Sequence, residues 1–339
     1  MDPAAVDEVT ESLRHHGDVD ATPGLLDFAV NVRHRAPPDW LRARLVARLN
    51  DLGRYPSAAE DAAARTAVAR RHGRDPEQVL PLAGAAEGFA LLPMLRPQLA
   101  AVVHPSFTEP ELALRAAGVP VCRIVLAEPY LLDPALVPDA ADLVVLGNPT
   151  NPTSVLHPGS ALHGLRRPGR LVVVDEAFMD AVIGEPGSLA GAALDDVVVL
   201  RSLTKTWGLA GLRAGYALGA PQVLARLAHG RPHWPVGTLP LEAIRACSEP
   251  AAVAEAQREA ALIAVERAHM ERLLKVAPGA SAPFLLLRVS DGRRVQEHLR
   301  RNGIAVRGCD TFPGLGPDHL RLAVRGAAPV RALLAAWPV

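Results

Sequence analysis

The sequence LVVVDEAF at Leu171–Phe178 decides the fold class of this chain. Four apolar residues in a row are typical of a strand that is buried on both faces, as in a parallel sheet. The run Val197–Ser202 repeats this pattern and leads to Lys205. Helical stretches separate such runs over residues 79–219, as in crossover connections between parallel strands. We therefore predict an α/β fold with a mainly parallel central sheet sandwiched by helices.

The chain divides into three parts. Residues 53–248 carry the alternation of strands and helices, and we predict that they form a large domain. A long helical pattern, Pro250–Val276, then begins residues 249–339, which we predict to be a smaller C-terminal α+β domain. Residues 1–52 are expected to form an N-terminal arm that packs with this smaller domain.

The composition limits the classes of function. The 339 residues carry 36 basic and 36 acidic side chains, so the net charge gives no reason to expect a nucleic-acid or anionic-membrane partner. No uncharged apolar run reaches the roughly 18 residues that span a bilayer. Three widely spaced cysteines without a CxxC pair indicate a reducing compartment. We therefore expect a cytoplasmic protein with no metal site.

Lysine is rare in this chain. Of the 36 basic residues only Lys205 and Lys275 are lysines. A lysine amine can lose its proton and form a Schiff base, whereas the guanidinium of arginine stays charged. Lys275 falls in a helical pattern and needs no special role. Lys205 follows a predicted buried strand, at the edge of the sheet where ligands bind.

Polar or small residues follow the predicted strands at the points where they end. They are Gly84-Ala85-Ala86, Ser106-Phe107, Asn148 to Thr153, Asp175 to Phe178, and Ser202 to Lys205 with Arg213 eight residues later. Taken singly, each has an ordinary explanation, since Asp175 could cap a helix and Asn148 to Thr153 could be a turn. Together they converge on one edge of the sheet, which predicts a ligand site there.

The chemistry of these residues describes one cofactor. A phosphate is bound by backbone N–H groups, hydroxyls and a guanidinium, which are offered here by Gly84, Ala85, Ala86, Ser202, Thr204 and Arg213. Lys205 supplies an amine for a Schiff base, and Asp175 can pair with a protonated ring nitrogen. Phe107 can stack on a flat ring, and Asn151 can donate to a phenolic oxygen. Phosphate, aldehyde, pyridinium and flat ring together predict pyridoxal 5'-phosphate (PLP).

Four motifs give the chain a resemblance to a known family. They are Ser202-Leu203-Thr204-Lys205 with Gly211-Leu212-Arg213, Asp175 to Phe178, Asn148 to Thr153, and Arg54-Tyr55-Pro56. From about His15 to Leu334, the chain resembles fold-type I PLP-dependent enzymes of the class I and II aminotransferases. More narrowly, it resembles the branch of histidinol-phosphate aminotransferases and of the threonine-phosphate decarboxylases of cobalamin biosynthesis.

The resemblance implies a role for each matched residue. Lys205 would hold the cofactor as a Schiff base and move the proton, and Asp175 would pair with the ring nitrogen. Asn151 would bind the ring oxygen, and Phe178 stands where many aminotransferases have a tyrosine that also does so. Tyr55 would reach the phosphate bound to the neighbouring subunit, which implies a homodimer with shared active sites.

The resemblance also implies a substrate side of the site. Arg321 would anchor the acid group of the substrate, and Asn31 and His16 would lie nearby. Arg307, Arg321 and Arg325 form a cationic set that suits a small amino substrate with a phosphate. For Arg325, an exposed surface charge is an equal alternative.

Two activities remain open for this site. We expect an aminotransferase that acts on an amino acid or on a phosphorylated amine such as histidinol phosphate. A threonine-phosphate decarboxylase is the alternative, because Arg307-Gly308-Cys309 and Phe312 to Leu315 look closer to that branch, although Gly237 does not. A nicotinamide enzyme is disfavoured because no GxGxxG follows the first strand, and the balanced charge argues against a DNA-binding regulator.

Overall fold

The computed structural model describes residues 13–15 and 17–338, without the side chain of Asp18. His16, which the resemblance places near the substrate, lies outside the described residues. The same holds for the first residues of the predicted N-terminal arm. Within the described ranges, no helix is long and apolar enough to cross a bilayer.

The secondary structure alternates strands and helices. The strands are β1 (Leu26–Asp27), β2 (Val79–Leu82), β3 (Ala100–His104), β4 (Val121–Val125), β5 (Leu143–Gly147), β6 (Leu171–Asp175), β7 (Val197–Ser202), β8 (Gly215–Leu218), β9 (Phe284–Arg288), β10 (Ile304–Ala305), β11 (Arg307–Gly308) and β12 (His319–Ala323). The helices are α1 (Gly17–Asp20), α2 (Asp39–Ala47), α3 (Ala58–His72), α4 (Ala85–Leu91), α5 (Glu109–Ala116), α6 (Gly159–Gly164), α7 (Pro221–Ala228), α8 (Thr238–Cys247), α9 (Pro250–Leu274), α10 (Gly292–Arg301) and α11 (Ala327–Ala336). Short 3₁₀ helices span Leu49–Gly53, Pro76–Gln78, Leu92–Leu95, Pro134–Leu136 and Met179–Ala181.

The largest sheet of the described residues has seven strands in the order β2-β8-β7-β6-β5-β3-β4. Neighbouring strands from β7 to β4 are parallel, whereas β8 is antiparallel to both β2 and β7. The predicted mainly parallel sheet is therefore confirmed. The winding reverses between β3 and β5, and such a switch point at the carboxyl ends of the strands is where open α/β sheets bind ligands.

Strand β6 shows why the apolar runs are continuous. Val172 and Val174 belong to the hydrophobic core on one face of the sheet, which helices α3 and α8 cover. Val173 belongs to the core on the other face, which α4 and α7 cover. Because successive side chains of a strand point to opposite faces, a strand that is buried on both faces needs apolar residues at every position.

The C-terminal part has a second sheet, in which β9, β12 and β11 are antiparallel. Met270 of α9, Leu299 of α10 and Leu333 of α11 pack in its core. Helix α9 ends at Leu274, two residues before the predicted end, because Lys275 adopts a left-handed backbone with φ 54°. The domain boundaries at residues 52 and 248 stay a prediction.

The N-terminal stretch packs against both parts of the protein. Phe28 joins the core of the smaller sheet, and β1 pairs in parallel with β10. Leu41 of α2 instead joins the core of the large sheet, and Arg44 bonds to Glu242 of α8 at 3.0 Å. Helix α2 also reaches residues after 248, because Arg44 donates to Glu249 at 2.7 Å and Trp40 donates to Glu255 at 2.9 Å. The expectation for residues 1–52 therefore stays a prediction.

A buried ionic cluster lies beside the ends of β6 and β7. Arg201 of β7 contacts Asp180 at 3.3 Å and forms a closer ion pair with Glu185. Arg71 of α3 bonds to Asp180 at 2.7 Å. Burial alone would raise the pKa of Asp180, but the two guanidiniums hold it below its usual range. The buried guanidiniums and carboxylates therefore compensate each other's charge, and removal of either leaves the other buried without a counter-charge.

The variant Arg201→Met is expected to lower the free energy of unfolding by about 3–5 kcal/mol, because it leaves buried carboxylates without compensation. Urea unfolding at pH 7 measures this change. The matched control is Arg166→Met, which removes a partly exposed pair with Asp196 and should cost about 1 kcal/mol or less. Equal losses of unfolding free energy in the two variants would contradict the larger contribution that we assign to the buried cluster.

Candidate active site

One cavity of about 580 Å³ opens at the carboxyl ends of the parallel strands. It collects most of the residues that the sequence selected from separate strand ends. The selected residues that line it are Asn31, Ala85, Ala86, Phe107, Asn151, Asp175, Phe178, Ser202, Thr204, Lys205, Arg213, Arg307 and Arg321. Gly84 and Tyr55 are not among its lining residues. The predicted convergence of the strand ends is therefore present.

Lys205 and Asp175 lie on the same cavity wall. Asp175 ends β6, and its Oδ1 accepts a hydrogen bond from the backbone N–H of Ala177 at 3.0 Å. Burial raises the pKa of Asp175 to about 6, and the bond from Ala177 and the charge of Lys205 only partly offset this effect. The Nζ of Lys205 lies 6.0 Å from the centroid of the Phe178 ring. Burial disfavours the ionised form of Asp175, so a cationic partner such as a protonated ring nitrogen would stabilise this carboxylate.

The predicted phosphate-binding residues meet where β7, β8 and α4 come together. Gly84 has a φ of 81°, and a side chain there would bring its Cβ within 3.0 Å of the Arg213 guanidinium. Arg213 donates to the carbonyl of Ala210 at 3.2 Å, and in the described part of the chain no carboxylate lies within ion-pair distance of it. The absence of a side chain at Gly84 leaves a cradle open beside a cation. This cradle fits a phosphate.

Asn151 is oriented by a residue far away in sequence. Its Oδ1 accepts a hydrogen bond from Nη1 of Arg321 at 2.6 Å. The amide N–H₂ of Asn151 is therefore the group that can donate to a ring oxygen in the cavity. Phe178 offers no hydroxyl for that oxygen, and its ring packs edge-on against Phe284 with centroids 4.9 Å apart. Of these two residues, only Asn151 can donate a hydrogen bond to a ring oxygen.

Two buried arginines form a further part of the cavity wall. Arg321 donates to Asn151 and to the carbonyl of Ala29, and burial lowers its pKa to about 10. Arg307 donates to the carbonyl of His15 at 2.8 Å and has Asp20 at 3.5 Å. Among the described residues, no carboxylate lies within 4.0 Å of Arg321. Its direct hydrogen-bond acceptors among the described residues are neutral, and the carboxylates of Asp20 and Asp27 act on it only from a longer distance.

Arg325 does not belong to this wall. It donates to the carbonyls of Asp27 at 2.9 Å and of Val30 at 2.8 Å. Its side chain is 14% exposed, so it is not a surface charge either. Arg325 connects the N-terminal segment to the residues after β12. The prediction that it joins Arg307 and Arg321 in a cationic set at the cavity was therefore wrong. The reason is that β12 ends at Ala323, so its backbone no longer directs Arg325 to the cavity.

Ser154, in the loop after β5, has an unusual backbone conformation that a side-chain hydrogen bond accompanies. Its φ is 63°, in the left-handed region that glycine adopts freely. Here the side chain compensates, because its Oγ accepts a hydrogen bond from the backbone N–H of Ala282 at 2.8 Å. The loop after β5 is thereby tied to the segment before β9.

The cavity is also lined by residues to which the sequence analysis gave no role in the site. Glu109 and Phe312 line it, and the Phe312 ring lies 5.1 Å from the Arg307 guanidinium. Glu109 begins α5 two residues after Phe107. Because it also follows the end of a strand, its sequence position could have identified it as a candidate for the site. Across residues 13–15 and 17–338, no three or more side chains of His, Cys, Asp or Glu are grouped as metal ligands would be.

Tyr55 lies on the surface, away from the lining of this cavity. Tyr55 is 70% exposed, and its ring stacks on Trp234, with the two centroids 4.1 Å apart. A contact between Tyr55 and a phosphate therefore requires the cavity of another copy of the chain.

Known proteins resemble this chain over most of its length. Residues 24–336 match the family described as aminotransferase class I and II. A histidinol-phosphate aminotransferase of Mycobacterium tuberculosis is 57% identical over 330 residues, which cover 96% of this chain and 90% of that protein. A threonine-phosphate decarboxylase of Salmonella typhimurium is 32% identical, over 92% of this chain and 90% of its own length. The crystal structure of the histidinol-phosphate aminotransferase from Clostridium acetobutylicum has the same fold, with a TM-score of 0.84 at 22% identity, over 92% of this chain and 98% of that chain.

Proposed function

Because the chain belongs to the aminotransferase class I and II family and is a PLP-dependent aminotransferase, we propose that its amino substrate carries a phosphate, as histidinol phosphate does. The observation that carries this proposal is the buried charge of Arg321 in the cavity wall, which has no carboxylate within 4.0 Å among the described residues. A buried cation without a carboxylate partner is costly, and an anionic substrate group would compensate it. The relative that is 57% identical has a name that refers to a phosphorylated amine.

We propose the following roles for the residues of the site. When bound, the cofactor supplies an aldehyde for the amine and a ring that accepts electrons from the substrate. Lys205 binds the aldehyde and moves a proton at the substrate carbon that carries the nitrogen. Asp175 holds a proton on the ring nitrogen, and Asn151 donates to the ring oxygen. Arg321 and Arg307 orient the acid group of the substrate.

The phosphate of the cofactor is assigned to a different part of the cavity. We propose that Ser202, Thr204 and Arg213 bind it, together with the backbone N–H groups that begin α4. The open cradle at Gly84 supports this assignment, since a larger residue there would meet the Arg213 guanidinium. Phe107 would stack on the ring.

A threonine-phosphate decarboxylase is the second candidate activity. It is favoured by the presence of two guanidiniums, Arg307 and Arg321, in the lining of one cavity, because that pair suits a substrate with both a carboxylate and a phosphate. The two activities differ in the bond at the substrate carbon that breaks, which depends on how Arg321 holds the acid group.

One assay separates the two activities. The purified, PLP-loaded protein is incubated with histidinol phosphate or threonine phosphate, with and without a 2-oxo acid acceptor. Transamination requires the acceptor and converts it to an amino acid. Carbon dioxide release from threonine phosphate without an acceptor, with no transamination of histidinol phosphate, would contradict the proposed substrate and support the second candidate.

The variant Arg321→Ala is expected to raise the KM for the phosphorylated amine by about 100-fold, because it removes a buried partner of the anionic group. Steady-state kinetics measure the change. The matched control is Arg325→Ala, which removes a buried guanidinium outside the cavity and should leave the KM within about threefold. An equal rise of KM in both variants would contradict the proposed role of Arg321.

We also propose that the protein is a homodimer with shared active sites. Val46, Leu49, Leu52 and Tyr55 lie three residues apart and are 47–70% exposed, so one apolar stripe faces solvent in a single copy. A stripe of this kind is typical of an interface. In the dimer, Tyr55 would reach the phosphate in the partner's cavity. The cytoplasmic location stays a prediction.

A further inference from the structure

Trp234 and Tyr55 form a stacked pair of aromatic rings on the protein surface. Their centroids are 4.1 Å apart and their planes are inclined by 17°. Tyr55 is 70% exposed and Trp234 is 53% exposed, so the pair leaves a large apolar area in water. Aromatic residues are enriched in the parts of a surface that another molecule covers. The pair is therefore a candidate for a contact that forms between molecules.

The backbone at Trp234 is held in an unfavourable conformation. Its φ is 52°, which lies in the left-handed region that bulky residues rarely adopt. Such a conformation persists where the surroundings fix it, and it is concentrated at functional sites. Here it places the indole flat against the phenol ring of Tyr55. The stacked neighbour limits the rotation of that ring, so less freedom is lost when the hydroxyl makes a hydrogen bond.

We propose that Trp234 is a positioning residue that acts across the subunit interface. It holds the Tyr55 ring of its own subunit so that the phenol hydroxyl donates to the cofactor phosphate in the partner's cavity. The inference rests on the proposed function, because it uses the homodimer and the phosphate-binding role of Tyr55. Neither ring lines the cavity of its own subunit, so the contact is assigned to a second copy of this chain.

The first test measures the affinity of the protein for PLP. Loss of the stacking contact in Trp234→Ala is expected to weaken PLP binding roughly three- to tenfold. Trp234→Phe keeps a ring against Tyr55 and should restore most of the affinity. The control Val265→Ala removes an exposed apolar side chain of α9 and should leave the affinity unchanged. Circular dichroism and thermal unfolding of each variant verify that the fold is retained.

The second test places the substitutions in hybrid dimers made from two differently tagged chains. In the first hybrid, Lys205→Ala is in one chain and Trp234→Ala is in the other. The chain that keeps Lys205 then receives an intact Tyr55–Trp234 pair from its partner. In the second hybrid, one chain carries both substitutions and the other chain is wild type. The chain that keeps Lys205 now receives the defective pair. The absorbance of PLP bound through Lys205 reports only the intact cavity.

An action across the interface predicts wild-type affinity in the first hybrid and weakened affinity in the second. The reverse pattern would overturn the inference, because Trp234 would then act within its own subunit. Unchanged affinity in Trp234→Ala, with weakened affinity in Tyr55→Phe, would overturn this inference alone. A monomer in analytical ultracentrifugation would overturn both the inference and the homodimer on which it rests.

Discussion

The variant Lys205→Ala is expected to lower kcat by about 10⁴-fold or more, because it removes both the amine that binds the cofactor and the group that moves the proton. The purified variant should also lose the covalent link to PLP. Borohydride reduction followed by peptide mass spectrometry measures this link directly. With only Lys205 and Lys275 in the chain, the modified peptide is unambiguous.

Two controls separate this role from the effects of charge and of lysine loss. Lys205→Arg keeps the positive charge, but its guanidinium stays protonated at neutral pH and cannot form a Schiff base. This variant should therefore be as inactive as the alanine variant. Lys275→Ala removes the other lysine, which is exposed after α9, and should keep wild-type activity. Full turnover in Lys205→Ala would refute the assigned role.

The variant Asp175→Asn is expected to lower kcat by roughly 10³-fold, because a neutral amide no longer holds the proton on the ring nitrogen and a buried ion pair is lost. The matched control is the adjacent carboxyl in Glu176→Gln. Glu176 accepts bonds from Ser188 at 2.7 Å and from the N–H of Leu189 at 2.8 Å, and it does not line the cavity. Its variant should stay within about tenfold of wild type. Equal losses would contradict the role of Asp175.

The Asp175→Asn substitution should also stabilise the cofactor-free protein. Burial raises the pKa of Asp175 from 3.8 to about 6, so the folded protein binds this proton more tightly than the unfolded chain. Stability is therefore lost as the pH rises from about 4 through about 6. Above about pH 7 the carboxylate costs about 3 kcal/mol, which Asp175→Asn removes.

Urea unfolding of cofactor-free wild type and Asp175→Asn at several pH values tests this linkage. The variant should be more stable at pH 8, and the difference should disappear below about pH 4. A difference of equal size at both pH values would contradict the proposed burial of the charge. Together with the loss of kcat, the result would mark Asp175 as a residue whose charge serves the site at the expense of stability.

The strand ends could be predicted because local patterns determine them. The apolar run before Asp175 indicates a strand that is buried on both faces, and parallel strands place their carboxyl ends at one edge. Lys205, Asn151 and Phe107 follow other strands of the same sheet and therefore meet Asp175 in one cavity. The roles of these residues stay a proposal, whereas their convergence is a property of the fold.

Contacts between segments that are distant in sequence were harder to predict. The polar and apolar faces of α2 do not reveal whether it packs on α8 or on the smaller sheet. Arg325 and Arg321 are close in sequence, yet only Arg321 reaches the cavity. Such choices depend on the packing of segments hundreds of residues apart, and a local pattern contains no information about that packing.

The sequence by itself determined the class of sheet, the order of the chemical groups at its edge and the rarity of lysine that singled out Lys205. Only the tertiary structure decided that Arg321 turns the amide of Asn151, 170 residues away, and that Tyr55 lies outside its own cavity. The physical reason is that periodicity and turn chemistry act over a few residues. Burial, charge compensation and orientation instead arise where distant segments pack together.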